Sequence, residues 1–313
     1  MKITGTFLDE ISFDIPHQNW GVEEWDRDFS AMKQMGIRRV IMIRSAAGNF
    51  MAFPSKTIAA RGCFHRPPVD LMELFLDLAE KYGFEFYAGT WHSQPGNCQD
   101  WNEEKFRTET AINRELIDEI NSVYGRRRAF AGWYLTHEVC SNKPGVIELF
   151  RELGTYAKRL SGGKPVLISP YFAGVKSQNP AWAGETPLLS PESHREHWET
   201  IFREIAGAVD IVAFQDGHLT YCELPLYLSI TRELAERYHI TCWSNIESFD
   251  RDMPWNFPPI KWEKFLWKLE SAASAGIQEG ITFEFSHFMS PNSMYPSAAG
   301  LYRRYCEYIA ANR

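Results

Sequence analysis

"LMELFLDLAEKYGFEFYAGTW" (residues 71–91) shows the unit from which the chain is built. Its first part places apolar residues at i, i+3, i+4 and i+7, the spacing of a helix with one buried face. Gly83 stands just past that pattern, where a residue free to take left-handed backbone ends a helix. The next stretch, "FEFYAGTW" (84–91), is short and rich in aromatic residues, as buried strands are. Helix and strand are joined by a link with room only for a turn, which is how one βα unit feeds the next.

The same alternation runs through the chain. Strands of this character are "ITGTFLD" (3–9), "RRVIMIRS" (38–45), "FAGWYLTHE" (130–138), "PVLISPYF" (165–172), "DIVAFQDG" (210–217), "ITCWSNIESF" (240–249) and "GITFEFSHF" (280–288). Helical stretches are expected near 22–35, 70–82, 102–124, 145–160, 193–207, 223–238, 261–275 and 296–311. Eight alternations in 313 residues predict one (β/α)8 barrel domain spanning 1–313. The rival, a doubly wound open sheet, would carry a Gly-rich phosphate loop after its first strand. The chain has "DEISFDIPHQNW" (9–20) there instead.

The links are unequal. Helix-to-strand links are short, such as "MGIR" (35–38) and "YGFE" (82–85). Strand-to-helix links are long: 10–21, 46–69, 92–101, 173–192, 250–260 and 289–295. In a barrel these long links build the C-terminal face, where active sites lie.

The strands end in polar groups at that face. They are Asp9, then Trp91 and His92, then His137 and Glu138, then Tyr171. Gln215 and Asp216 follow, then Asn245 and Glu247, then Glu284, Ser286 and His287. Side chains alternate along a strand. Trp243, Asn245 and Glu247 therefore share a face, as do Thr282, Glu284 and Ser286, and both sets are expected to face inward. The same alternation turns His137 toward the helices. A charge on a buried strand is costly unless it is paired or belongs to a site.

Carboxylates converging on one rim suit glycoside cleavage, which needs two carboxyl groups flanking the scissile bond. Aromatic faces suit the C–H faces of sugar rings. Glu138, Glu247 and Glu284 are the candidate catalytic groups. Candidate sugar contacts are Asp9, Trp91, His92, His137, Tyr171, Trp182, Gln215, Asp216, Trp243, Asn245, Trp255 and His287.

The chain resembles a bacterial family, domain of unknown function 4434, whose members are taken as candidate TIM-barrel glycosyl hydrolases. The stretches that carry the likeness are "GTFLDE" (5–10), "QNWGVEEWDRDFSAMKQMGI" (18–37), "GWYLTHE" (132–138), "SPYF" (169–172), "DIVAFQDG" (210–217), "WSNIESF" (243–249) and "FEFSHFMSP" (283–291). They span nearly the whole chain. A looser resemblance is to the retaining glycosidases on this barrel. It implies an acid/base at the end of strand four and a nucleophile at the end of strand seven, the positions of Glu138 and Glu247. The residue before the strand-four Glu is typically Asn in that clan, and here it is His137, so the 2-hydroxyl contact made by that Asn is not implied. Glu284 competes with Glu247 for the nucleophile's place.

Two other readings use the same barrel. A divalent-metal-dependent sugar isomerase or epimerase would draw ligands from Glu138, Asp216, His218, Glu247, Glu284 and His287. A non-catalytic carbohydrate-binding barrel would keep the aromatic platforms alone. No HExxH or similar short spacing is present, and the expectation is a carbohydrate substrate with neither metal nor cofactor. The net charge of −7 argues against nucleic-acid binding. No segment reaches the roughly 18 apolar residues of a membrane span. "MKITGTFLDE" (1–10) lacks the apolar stretch of a signal peptide, and the cysteines at 63, 98, 140, 222, 242 and 306 form no CxxC pair. A cytoplasmic, reducing location is therefore expected. The sequence leaves the oligomeric state open.

Overall fold

The computed structural model describes residues 1–12, 15–62, 65–93, 102–178, 188–253 and 257–312. Its strands in chain order are β1 (Lys2–Leu8), β2 (Arg39–Met42), β3 (Ala46–Ala47), β4 (Phe50–Met51), β5 (Glu85–Gly89), β6 (Trp91–His92), β7 (Phe130–Leu135), β8 (Val166–Ile168), β9 (Ile211–Gln215), β10 (Thr241–Glu247) and β11 (Glu279–Phe283). The helices are α1 (Val22–Met35), α2 (Lys56–Ala59), α3 (Leu71–Tyr82), α4 (Glu103–Tyr124), α5 (Val146–Leu160), α6 (Pro191–Ile205), α7 (Leu224–Arg237), α8 (Trp262–Ser274), α9 (Phe285–Phe288) and α10 (Pro296–Ala311).

Eight strands close into a barrel in the order β1-β11-β10-β9-β8-β7-β5-β2, and neighbouring strands run parallel. This is the (β/α)8 barrel expected from the alternation. The unit at 71–91 behaves as its residues dictate. Asp70 caps α3 by accepting from the Glu73 N–H, and Gly83 ends it at φ 71°. The apolar face of α3, with Leu71, Met72, Phe75, Leu76 and Ala79, is buried against the barrel. Arg127, in the turn before β7, pairs with Glu73, Asp77 and Glu80 of α3. The basic run at 126–128 is thus part of a helix-to-strand corner.

Two features were not in the sequence pattern. β3, β4 and β6 form a small separate sheet that ties the second and third strand-to-helix links together. The stretch 280–288, read as one strand, breaks after Phe283. Glu284 becomes the N-cap of α9, accepting from the Ser286 and His287 N–H groups.

Inside the barrel, Phe7, Ile41, Tyr87, Tyr134, Leu167, Ala213 and Ile281 pack together. Near the N-terminal ends of the strands, the Arg39 guanidinium lies 4.7 Å from the Trp243 ring centre and pairs with Glu85 and Glu279. Trp243 therefore fills the closed end of the barrel. It does face inward, but near the start of β10, too deep to serve as a sugar platform. Between sheet and helices lies the larger apolar layer, which includes Trp25, Trp133, Trp198 and Phe265. Among the described residues, no helix is long and apolar enough to cross a membrane.

Candidate active site

The inward file of each strand ends at the mouth. On β1 Phe7 leads to Asp9, and on β10 Trp243 leads to Asn245 and Glu247. After β7, the file of Tyr134 leads to Glu138. These ends meet in an open cleft of about 550 Å³ lined by Asp9, Arg44, Glu138, Gln215, Asn245, Glu247 and Arg251, with apolar walls from Phe7, Ile15, Ile43, Phe249, Phe257 and Phe283.

Glu247 is buried, and Arg251 grips it with both arms. Arg251 Nε donates to Oε2 and Nη2 to Oε1, each at 2.8 Å. Burial alone would push the Glu247 carboxyl up, but the Arg251 charge and its hydrogen bonds outweigh it and hold the group down at about 2. Glu138 is half-buried and faces the open side. Arg44 Nη2 reaches its Oε1 at 3.3 Å while Nη1 donates to Ser12 Oγ at 2.8 Å.

Behind Glu247 stands a buried ion pair. Lys268, from α8, donates to Asp216 Oδ1 at 2.7 Å and to the Glu247 carbonyl oxygen at 3.0 Å. Asp216 Oδ1 also accepts from the Glu247 N–H at 3.1 Å. Both backbone polar groups of Glu247 are thus fixed by one pair. Asp216 itself points away from the cleft, because the Gln215 file faces inward and the next residue must face out. Burial pushes its carboxyl up to about 6 against the pull of Lys268. Lys268→Met should destabilise the fold by about 3–5 kcal/mol, because Asp216 would keep a buried charge with no counter-ion. Adding Asp216→Asn should recover part of that loss. Urea unfolding of the single and double variants measures both, and a double variant no better than the single would show that the pair does not act as a unit.

Glu284 and His287 lie outside the cleft. On β11 the inward file is Ile281 then Phe283, so Glu284 turns toward the helices. It binds His287 Nδ1 at 2.5 Å, and His287 Nε2 bonds to the Pro16 carbonyl oxygen at 2.9 Å. Burial opposes a charge on His287, but Glu284 outweighs this and raises the imidazole to about 9. Glu10 accepts from the Gln18 and Asn19 N–H groups, which anchors the first strand-to-helix link. Burial raises Glu10 to about 7, and it raises Asp28, beneath Ser286, to about 7.

These shifts have a sign. Glu10 and Asp28 hold their protons more tightly in the folded than in the unfolded chain. Their stabilisation is complete below the ordinary carboxylate range and is lost as pH rises from about 4 to about 7. The contribution of charged His287 is lost as pH rises through about 9. Buried His92, His194 and His218 are held neutral by burial, so their contribution grows as pH rises to about 6.5 and offsets Glu10 and Asp28 there. The midpoint of unfolding in guanidinium chloride should therefore fall between pH 7 and pH 9, as His287 loses its proton. A midpoint that rises over this range would contradict the assignment.

The remaining expected contacts are placed elsewhere. His137 turns outward, as the alternation required, and its Nε2 meets Glu109 Oε2 at 2.7 Å. His92 packs on it with ring centres 5.0 Å apart, and Ser93 donates to Glu109. Trp91 packs in the small sheet, its backbone N–H donating to Asn113 Oδ1, and does not line the cleft. Tyr171 bridges to Gln215 at the rim, its ring centre 4.9 Å from that of His218. Trp182 and Trp255 lie outside the described residues. Arg44, Arg251, Lys268 and the apolar wall of Ile15, Phe249 and Phe257 were not read from the sequence. The one available signal was Arg251 four residues after Glu247.

The ligand set of a metal isomerase is scattered. Asp216 pairs with Lys268, and Glu284 with His287, on opposite sides of Glu247. Among the described residues, the group whose donor atoms approach closely enough for an ion is His92, Glu109 and His137, all within 4.8 Å of one another. Ligands about 2.0–2.1 Å from a tetrahedral ion would stand roughly 3.3 Å apart. The His137–Glu109 contact of 2.7 Å is shorter and has the length of a hydrogen bond. This buried pair ties α4 to the segment that carries Glu138.

A (β/α)8 barrel with paired carboxylates and guanidinium groups at its C-terminal mouth has the architecture of barrel glycoside hydrolases. The model of the family "domain of unknown function 4434" matches residues 3–295, and the chain belongs to that family. A crystal structure of a candidate alpha-L-fucosidase from Bacteroides thetaiotaomicron is similar with a TM-score of 0.92 and 46% identity, covering 99% of this chain and 93% of that one. An endo-1,4-beta-D-mannanase from Thermotoga petrophila matches at TM-score 0.57 and 12% identity, covering 90% and 87%. An intracellular xylanase from Thermoanaerobacterium saccharolyticum matches at 0.51 and 10%, covering 89% and 84%. At such identities the last two likenesses concern the fold. No curated protein matches the chain in sequence.

Proposed function

We propose that this chain is a retaining glycoside hydrolase, with Glu138 as the acid/base and Glu247 as the nucleophile. The observation that carries the reading is that these two carboxylates line one cleft in unlike surroundings. Glu247 is buried and held ionised by Arg251, while Glu138 reaches the solvent side. Such unlike environments are what divide acid from nucleophile in a carboxylate pair.

In the first step Glu247 attacks the anomeric carbon and Glu138 gives its proton to the leaving oxygen. In the second, Glu138 takes a proton from water as that water displaces Glu247. The bidentate grip of Arg251 uses one lone-pair site on each Glu247 oxygen, and a carboxylate has about four such sites. An oxygen is thus still able to attack.

The name of the 46%-identical relative makes an aryl alpha-L-fucoside the first substrate to try. A panel of aryl glycosides, with the anomer of the fresh product read by proton NMR, tests the proposal. Retention supports it. Inversion would remove Glu247 as nucleophile, and a parent enzyme that cleaves no glycoside would overturn the reading.

A further inference from the structure

We infer that Asp9 and Asn245 read two hydroxyl groups of a neutral sugar ring in the cleft, and that the site discriminates against uronic acids. The inference rests on the glycosidase reading and adds the substrate class.

Asp9 lines the cleft and is 1% exposed. Its Oδ1 accepts from the Ile11 and Ser12 N–H groups, at 3.2 and 3.0 Å, closing a turn after β1. Its Oδ2 is buried with no hydrogen-bond partner among the described residues. Asn245 is also 1% exposed and lines the cleft. The orientation of its amide is fixed by a chain of donors. Ser169 Oγ gives its proton to the Ala213 carbonyl oxygen at 2.7 Å, so toward Asn245 it can only accept. The Asn245 Nδ2 donates to it at 3.0 Å, and Oδ1 is the end left over. That oxygen too is buried without a partner among the described residues. Buried acceptors left unmet are costly, and both line a cleft open to donors from a bound molecule. Sugar hydroxyls are such donors.

The charges exclude an acidic ring. The lining carries Asp9, Glu138 and Glu247 against Arg44 and Arg251, so it has no net positive charge whether or not Glu138 holds its proton. Arg251 is committed to Glu247, and Arg44 contacts Glu138. A sugar carboxylate would meet Asp9 without a guanidinium reserved for it. Beside the Glu247–Arg251 pair, Ile15, Phe249, Phe257 and Phe283 pack together as an apolar wall, with the Phe249 and Phe257 ring centres 4.3 Å apart and the Arg251 guanidinium 4.8 Å from the Phe249 ring centre. A neutral ring with one hydroxylated edge and one C–H face fits this cleft.

The test uses aryl glycosides of neutral sugars and of their uronic acids, then monodeoxy analogues of the best neutral sugar. Asp9→Asn keeps Oδ1 and the turn, so it should fold, as circular dichroism can check. Asn245→Ala is the second variant. Each should lower kcat/KM for the neutral glycoside by at least about 100-fold, because a site built around a hydroxyl depends steeply on that contact. One monodeoxy analogue should be as poor with the parent, and no poorer with the Asp9 variant. Unchanged kcat/KM in both variants, or a preference for the uronic acid, would overturn the inference and leave the hydrolase reading standing. If the parent cleaves nothing yet calorimetry shows neutral sugars binding, more weakly to Asp9→Asn, the hydrolase reading fails and this inference holds.

Discussion

Glu247→Gln is expected to lower kcat by about 10⁵-fold, the scale seen when an essential nucleophile is removed. Sugar affinity, measured by calorimetry, should change little. The amide keeps the shape of the carboxylate and one of its oxygens, so the cleft stays lined as before. What it loses is the negative charge that attacks the anomeric carbon and balances the developing oxocarbenium ion. The variant also leaves Arg251 without its counter-ion, although Arg251 reaches solvent and is thus partly relieved. A modest fall in melting temperature should accompany the loss of turnover. The control is Glu284→Gln. Glu284 caps α9 and binds His287, both away from the cleft. That variant should lose stability, because a buried imidazolium would lose its partner, while its folded fraction turns over near the parent rate. If Glu284→Gln abolishes turnover and Glu247→Gln does not, the nucleophile lies on β11.

The barrel was legible because its signals are local and repeated. A stretch such as 71–91 states its own period, its own stop and its own strand, and each of these is a backbone property of a few neighbouring residues. The mouth was legible to the extent that alternation holds. It held from Tyr134 to Glu138 and from Trp243 to Glu247, and it turned His137 outward as expected. It failed at Glu284, where the strand stops after Phe283 and the chain enters a helix. Aromatic type without depth also misled. Trp243 stands on the inward face but near the start of its strand, so it fills the closed end. Arg44 and Lys268 could not be read, because what makes each matter is a partner far away in sequence: Glu138 for one, Asp216 for the other. Barrel closure creates those pairs, and no spacing rule within one segment records them.

Gly217→Ala should abolish most activity while leaving the fold nearly as stable as the parent. The cause is space. Gly217 is not among the glycines with left-handed φ, so alanine meets no backbone objection there. A Cβ built on Gly217 would stand 1.6 Å from Glu247 Oε2 and 2.6 Å from both Glu247 Cδ and Arg251 Nε. No contact that short survives, and something must move. The neighbouring backbone is held, since the Asp216 N–H donates to the Asn245 carbonyl oxygen and Lys268 fixes the Glu247 carbonyl. The side chains of Glu247 and Arg251 are the parts able to yield, and Glu247 can swing away only by breaking at least one of its two bonds to Arg251. The carboxylate then leaves the line of attack by more than an ångström, a displacement that can cost about 10²-fold in rate even for a group remote from the chemistry. Because the displaced group is itself the nucleophile, kcat should fall by about 10³-fold or more. The melting temperature separates this from simple unfolding, and it should stay within a few degrees. A variant with ordinary kcat would show that Glu247 attacks from a different rotamer, and one that unfolds would show that the Glu247–Arg251 pair secures the mouth of the barrel before it does any chemistry.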